Sequence, residues 1–128
     1  MMAWLSDELD QKFESKRYHF ADGSRAEVDG VSSDGKILCE AWAHQGEPKS
    51  AQKFKVMNDA MKMVAIQNIH SGVERKVLLF ADENAARVFR SGSWRAVALA
   101  AAGVEVMVCK IDDAQRQLIV EAQGRQYR

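Results

Sequence analysis

The chain has 128 residues, of which 47% are apolar and 28% charged, the balance of a globular protein and not of a disordered or fibrous one. That length suits a single domain over residues 1–128 with one core and is too short for two. Lysine and arginine number 18 against 18 aspartate and glutamate, so there is no overall attraction for a polyanion, and a phosphate-binding surface would have to be local.

The N-terminal run Met1 to Glu8 has no basic segment and turns acidic within seven residues, unlike a secretory signal. No apolar run reaches membrane-spanning length, which predicts a cytoplasmic protein with no membrane partner. Ser6 ahead of Asp7 and Glu8 has the form of a helix N-cap, and Leu5, Leu9 and Phe13 recur at four-residue spacing, predicting a first helix through Lys16. Three extended segments follow, around Tyr18 to Ala21, Arg25 to Val31 and Lys36 to Ala43. Asp22-Gly23 and Asp34-Gly35 separate them, dipeptides that suit tight hairpin turns, so the three read as an antiparallel meander.

Gly46-Glu47-Pro48 ends the third strand, and the chain's one proline falls where the first turn of a helix tolerates it. The predicted helix runs to about Ile69. Phe54, Met57, Met61, Val64 and Ala65 fall on one arc and Val56, Ala60 and Met63 on an adjoining one, with Lys55, Asn58, Asp59 and Lys62 outside. Its methionines are core filler at helical spacing. Val77 to Ala81 has the length and apolarity of an interior strand, and helical segments follow through Phe89 and from Trp94 to Ala102, with Asp82 or Ser91 as caps. Gly103 stops the second before a strand at Val104 to Lys110, parallel to the preceding one by the crossover rule. Asp112-Asp113 then turns the chain into an edge strand, Gln117 to Ala122, with a frayed tail from Gly124. Cys39 and Cys109 sit singly in apolar runs without Cys-x-x-Cys spacing, which points to buried thiols.

On the third strand Leu38, Glu40 and Trp42 share one face and Ile37, Cys39 and Ala41 the other, so Glu40 is an acid in a strongly apolar strand. A carboxylate there is costly to bury unless paired or bound to a metal, and Asp29 on the second strand is the neighbour able to share a divalent cation. The alternative is an exposed sheet face carrying Arg25-Glu27 or Lys36-Glu40 pairs.

A helix, a meander bearing Asp29 and Glu40, a long helix and a further strand resemble the PD-(D/E)XK, or restriction-endonuclease-like, nuclease superfamily. Glu27-Val28-Asp29-Gly30 and Ile37-Leu38-Cys39-Glu40-Ala41-Trp42 are similar to its two acidic elements, over roughly residues 5 to 81. The resemblance implies an α/β fold with an α-β-β-β-α-β core, a mixed central sheet flanked by helices, and here a C-terminal helix-strand extension. It implies a nuclease hydrolysing DNA phosphodiester bonds, with Asp29 and Glu40 holding Mg²⁺ or Mn²⁺ and the carbonyl after Glu40 as a further ligand. The chain departs from the pattern at Trp42, which stands where the superfamily has a lysine. Some members carry that lysine on the next helix, and Lys49 and Lys53 are the candidates here, with Gln52 as a substrate contact and Glu8 as a supporting acid.

His44, just past Glu40, is the histidine placed to approach such a site, unlike His19 and His70; Arg75-Lys76 and Arg125 read as solvated charges. A neutral domain this small would gain phosphate-binding surface as a homodimer. Two other readings compete. One is a nuclease-like domain without catalysis that serves as a nucleic-acid or protein binding module, for which Trp42 and the zero net charge speak. The other is a phosphate or nucleotide binder centred on Asp82 at a strand's carboxyl end, without a Gly-rich loop to support it.

Overall fold

The computed structural model describes residues 1–110 and 113–126. The elements run α1 (Met2–Leu9), β1 (Phe13–His19), β2 (Arg25–Ser32), β3 (Ile37–Trp42), α2 (Ser50–Ile69), β4 (Arg75–Phe80), α3 (Glu83–Arg90), α4 (Trp94–Ala101), β5 (Val104–Val108) and α5 (Asp113–Gln126). The strands form one sheet in the order β1-β2-β3-β4-β5. β1, β2 and β3 pair antiparallel, whereas β3-β4 and β4-β5 pair parallel. This is a mixed α/β sheet of five strands flanked by five helices, with the expected α-β-β-β-α-β order and helix-strand extension.

Local chemistry sets the hairpins. Gly23 and Gly35 take φ of 89° and 75°, conformations that side chains resist. Asp34 Oδ1 accepts from Ser32 Oγ at 2.6 Å and from Lys36 N at 3.0 Å, and Oδ2 from Gln11 Nε2 at 2.9 Å. These bonds hold the Asp34 carboxyl down at about 2.

The sheet separates two cores. On one side Val28, Val31, Leu38, Leu78 and Phe80 pack against Val56, Ala60, Met63 and Ile66 of α2. On the other, Ile37, Cys39, Val77 and Leu79 pack against Leu5 of α1 with Phe13 and Cys109. Each large side chain buried in these layers contributes about 1.5–3 kcal/mol. β2 carries a bulge: Glu14 pairs with Val31 and Lys16 with Val28, so Asp29 and Gly30 together oppose Ser15. The extra residue puts Val28 and Val31 in the same core layer, and it re-aims Asp29 at the end of the β2-β3 ladder.

Several expectations are overturned. The first helix ends at Leu9, where Asp10 turns left-handed (φ 49°), and Phe13 opens β1 instead of extending the helix. Ser6 lies within α1 and does not cap it. In α2 the buried line is Gln52, Val56, Ala60, Met63 and Ile66; Phe54 and Met61, assigned to the inner arc, are 61% and 68% exposed. α4 is capped by Ser93, whose Oγ accepts from Ala96 N at 3.1 Å, and not by Ser91. Gln117 to Ala122 is part of α5 and not an edge strand. The helix docks through Gln123, which accepts from Gln45 N at 2.5 Å and donates to Gln45 O at 3.1 Å. Asp112 and the last two residues lie outside the described residues. Lys76 is buried against Gln67 Oε1, and Arg75 makes a two-pronged pair with Glu105, so neither is simply solvated. Among the described residues no helix is long and apolar enough to cross a membrane.

Candidate functional site

The site forms where the β2-β3 ladder ends. Register pairs Val31 with Leu38 and Gly30 with Cys39, which brings Asp29 level with Glu40. There the ladder gives way to a side chain: Ala41 N donates to Asp29 Oδ2 at 2.9 Å. Asp29 thus closes the strand pair with its carboxylate and holds that carboxylate close enough to Glu40 to raise the Glu40 carboxyl. Glu40 is 4% exposed and faces α2, so the exposed-face alternative is excluded.

The cation that meets Glu40 comes from α2. Lys62 Nζ lies 2.7 Å from Glu40 Oε1 and 3.6 Å from Asp59 Oδ1. Glu40 Oε1 has no well-aligned hydrogen-bond donor, so when the carboxyl is ionised its buried charge rests on the ion pair with Lys62. Burial pushes the Glu40 carboxyl up to about 8; Lys62 opposes the rise, and Asp29 adds to it. Burial also raises Asp59, against the pull of Lys62. Burial alone would lower Lys62, but Glu40, Asp59 and Asp29 reverse that and hold it above the ordinary lysine range. Three carboxyl groups around one ammonium leave an excess of negative charge, which has to be met by protons or by a further cation.

Among the described residues no group of three or more His, Cys, Asp or Glu is placed to hold a metal ion. Asp29 and Glu40 offer two adjacent carboxylates, of which the Glu40 Oε1 oxygen is ion-paired to Lys62. That donor set fits Mg²⁺ or Mn²⁺, hard cations that Mg²⁺-type sites hold through one or two carboxylates while several waters stay bound.

The seam between β3 and α2 continues from Glu40 into an open cleft of about 440 Å³, lined by Trp42, His44, Gln52 and Lys55 and by Ile119, Ala122 and Gln123 of α5. The Trp42 and His44 rings are 6.2 Å apart and tilted by 42°. Gln52 Nε2 lies 3.2 Å from His44 Nδ1, and Gln52 Oε1 accepts from Lys49 N at 2.7 Å. Gln52 is therefore a buried organiser of the α2 N-terminus that also positions His44.

Of the residues expected at the site, Asp29 and Glu40 converge, and His44 and Gln52 adjoin the cleft beside them. Lys49 and Lys53 do not supply the cation at Glu40. Lys49 is the exposed N-cap of α2. Lys53 stands nine residues before Lys62, about 180° around the helix and roughly 13 Å along it. Glu8 is exposed on α1, whose Leu5 packs on the Cys39 side of the sheet, away from Glu40. Asp82 is occupied structurally: Oδ2 accepts from Ala85 N at 3.1 Å and Gly46 N at 2.8 Å, capping α3 and tying down the loop after β3. Lys62, Asp59 and Lys55 escaped the periodicity, although their i, i+4, i+7 spacing marks a charged line along one flank of the buried face.

No family model, curated protein or solved structure matches the chain.

Proposed function

We propose that this protein is a divalent-cation-dependent nuclease of the restriction-endonuclease-like kind, hydrolysing phosphodiester bonds of DNA. The observation that carries the reading is the convergence of Asp29 and Glu40 at the end of one strand pair with the Lys62 ammonium 2.7 Å from Glu40. Two carboxylates and a lysine on these elements are the parts that the resemblance calls for, with Lys62 on α2 in place of the missing strand lysine. Asp29, Glu40 and the Ala41 carbonyl would hold Mg²⁺ or Mn²⁺, which when bound acidifies water and offsets charge on the phosphate.

The chain's own groups divide the remaining work. Lys62, held protonated by its three carboxyl neighbours, is a poor base and acts as a donor that orients the scissile phosphate and stabilises its developing charge. Asp59, one turn before it, aims the lysine toward Glu40. The Asp29 bond to Ala41 N keeps β3 from shifting against β2 and so fixes both acids relative to one another.

The second reading, a nuclease-like binding module without catalysis, draws on the same contact, since Lys62 and Glu40 could serve as a structural ion pair only. Cleavage of labelled single- and double-stranded DNA and of RNA in Mg²⁺, Mn²⁺ or EDTA separates the two. Metal-dependent cleavage lost in folded Asp29→Ala, Glu40→Gln and Lys62→Met supports the nuclease. Folded wild-type protein inert on every substrate supports the binding module.

A further inference from the structure

The cleft that continues the seam past Glu40 is chemically unlike the acidic centre. Trp42 projects from the same face of β3 as Glu40, two residues on, so the indole and the carboxylate are neighbours along one strand. Lys55 lies two turns before Lys62 on the same flank of α2, and it lines the cleft together with the aromatic pair. Ile119 of α5 adds an apolar surface to the lining. The Trp42 indole N–H is buried without an acceptor among the described residues, and the partly buried ring packs against the main core. His44 is steadied by Gln52 and presents a second ring to the same space.

A volume of about 440 Å³ is in the range of small-molecule sites, roughly 300–1,000 Å³. It has room for an unpaired nucleotide and none for a duplex, whose bases are already stacked and paired. Flat aromatic rings beside a cation are the combination that holds single-stranded nucleic acid, with rings stacking on bases and the cation on the backbone.

We propose that this cleft is a nucleobase subsite that seats an unpaired base against Trp42 and His44, with Lys55 on its phosphate, next to the phosphodiester presented to Glu40 and Lys62. The proposal rests on the nuclease reading for the position of that phosphodiester. It makes the preferred substrate a single strand or a frayed end, and it gives α5 the function of a wall that limits how much can enter.

The test is binding in EDTA, where no cleavage occurs, of a dye-labelled five-nucleotide single strand, as DNA and as RNA, and of a blunt hairpin duplex. The variants are Trp42→Leu, Lys55→Ala and Ile119→Asp, the last two being surface changes that leave the core intact, and each is checked for folding by circular dichroism. Single-strand binding at least tenfold tighter than duplex binding, weakened ten- to a hundredfold by Trp42→Leu and severalfold by Lys55→Ala and Ile119→Asp, is expected. Should Trp42→Leu fail to fold, loss in Lys55→Ala and Ile119→Asp decides in its place. Equal affinity for duplex and single strand, or wild-type affinity in the folded variants, overturns the subsite. Trp42-dependent binding by a protein that cleaves nothing in Mg²⁺ or Mn²⁺ upholds the subsite and overturns the nuclease reading.

Discussion

Lys62 crosses from α2 to put its ammonium 2.7 Å from the Glu40 carboxylate on β3, and Glu40 is 4% exposed. The two partners stand in unequal need of each other. Lys62 is still a quarter exposed and can turn to water, whereas Glu40 cannot.

That inequality predicts an asymmetric mutational response. Above about pH 8, where Glu40 is ionised, Lys62→Ala strands a buried carboxylate without its counter-charge and should destabilise the fold by about 1–3 kcal/mol. Glu40→Gln mimics the protonated carboxyl and keeps the shape, so at that pH it should be neutral or stabilising by up to about 1 kcal/mol. Urea unfolding with coincident m-values reads both. If the nuclease reading holds, both variants lose about a hundredfold or more in kcat/KM despite their opposite effects on stability. Equal destabilisation by the two would show that the pair is needed as a pair.

The acid cluster also predicts a pH dependence. Glu40 is raised from 4.5 to about 8 in the folded protein. Between those values the native state keeps a proton that the unfolded chain has released, so stability falls as pH rises across the window. Glu40→Gln should flatten the slope. A divalent cation competing with that proton should stabilise the fold more at about pH 8.5 than at about pH 5, by about 2.7 kcal/mol at a hundred times its Kd. A Mg²⁺ or Mn²⁺ response independent of pH would place the cation elsewhere.

How far these groups could be read from the sequence depended on how local their causes are. Asp22-Gly23 and Asp34-Gly35 mark the hairpins because the turn is made by those residues themselves. Val77 to Phe80 reads as an interior strand because both its faces are buried. The i, i+4 run of Leu5, Leu9 and Phe13 misled because Phe13 is apolar for the sake of the sheet and not of the helix. Gln117 to Ala122 has a strand-like centre in Ile119-Val120, yet it lies on a helix that leaves Leu118 and Val120 largely exposed. Lys62 was lost for another reason. Periodicity assigns a lysine beside the buried arc to solvent, and its long stem carries the ammonium back to a buried acid that periodicity cannot see.

Asp34 should govern the acid limb of stability. Its carboxyl sits at about 2 in the folded chain against 3.8 unfolded. A depressed acid contributes stability above its unfolded value, and that contribution is lost as pH falls from about 4 to about 2. Asp34→Ala should lower Tm at neutral pH, and thermal scans should show that the difference from wild type shrinks across that window. A constant difference down to pH 2 would mean that the turn is held by Gly35 and the backbone bond from Gly35 N to Ser32 O alone.

Asp82 separates a structural acid from a ligand site. It is 9% exposed, caps α3 through Ala85 N and holds Gly46 N in the loop that carries His44. Asp82→Ala removes a cap worth about 0.5–2 kcal/mol and leaves Gly46 N without its partner, so a total loss near 2–3 kcal/mol is expected. Asp82→Asn keeps one accepting oxygen and should recover much of that loss. Because the loop joins β3 to α2, its release should also widen the cleft beside Trp42, seen as faster amide exchange at 43–47 with the Asp29, Glu40 and Lys62 positions still protected. A nucleotide binder centred on Asp82 predicts the reverse, with stability unchanged in Asp82→Ala and nucleotide-dependent thermal stabilisation abolished.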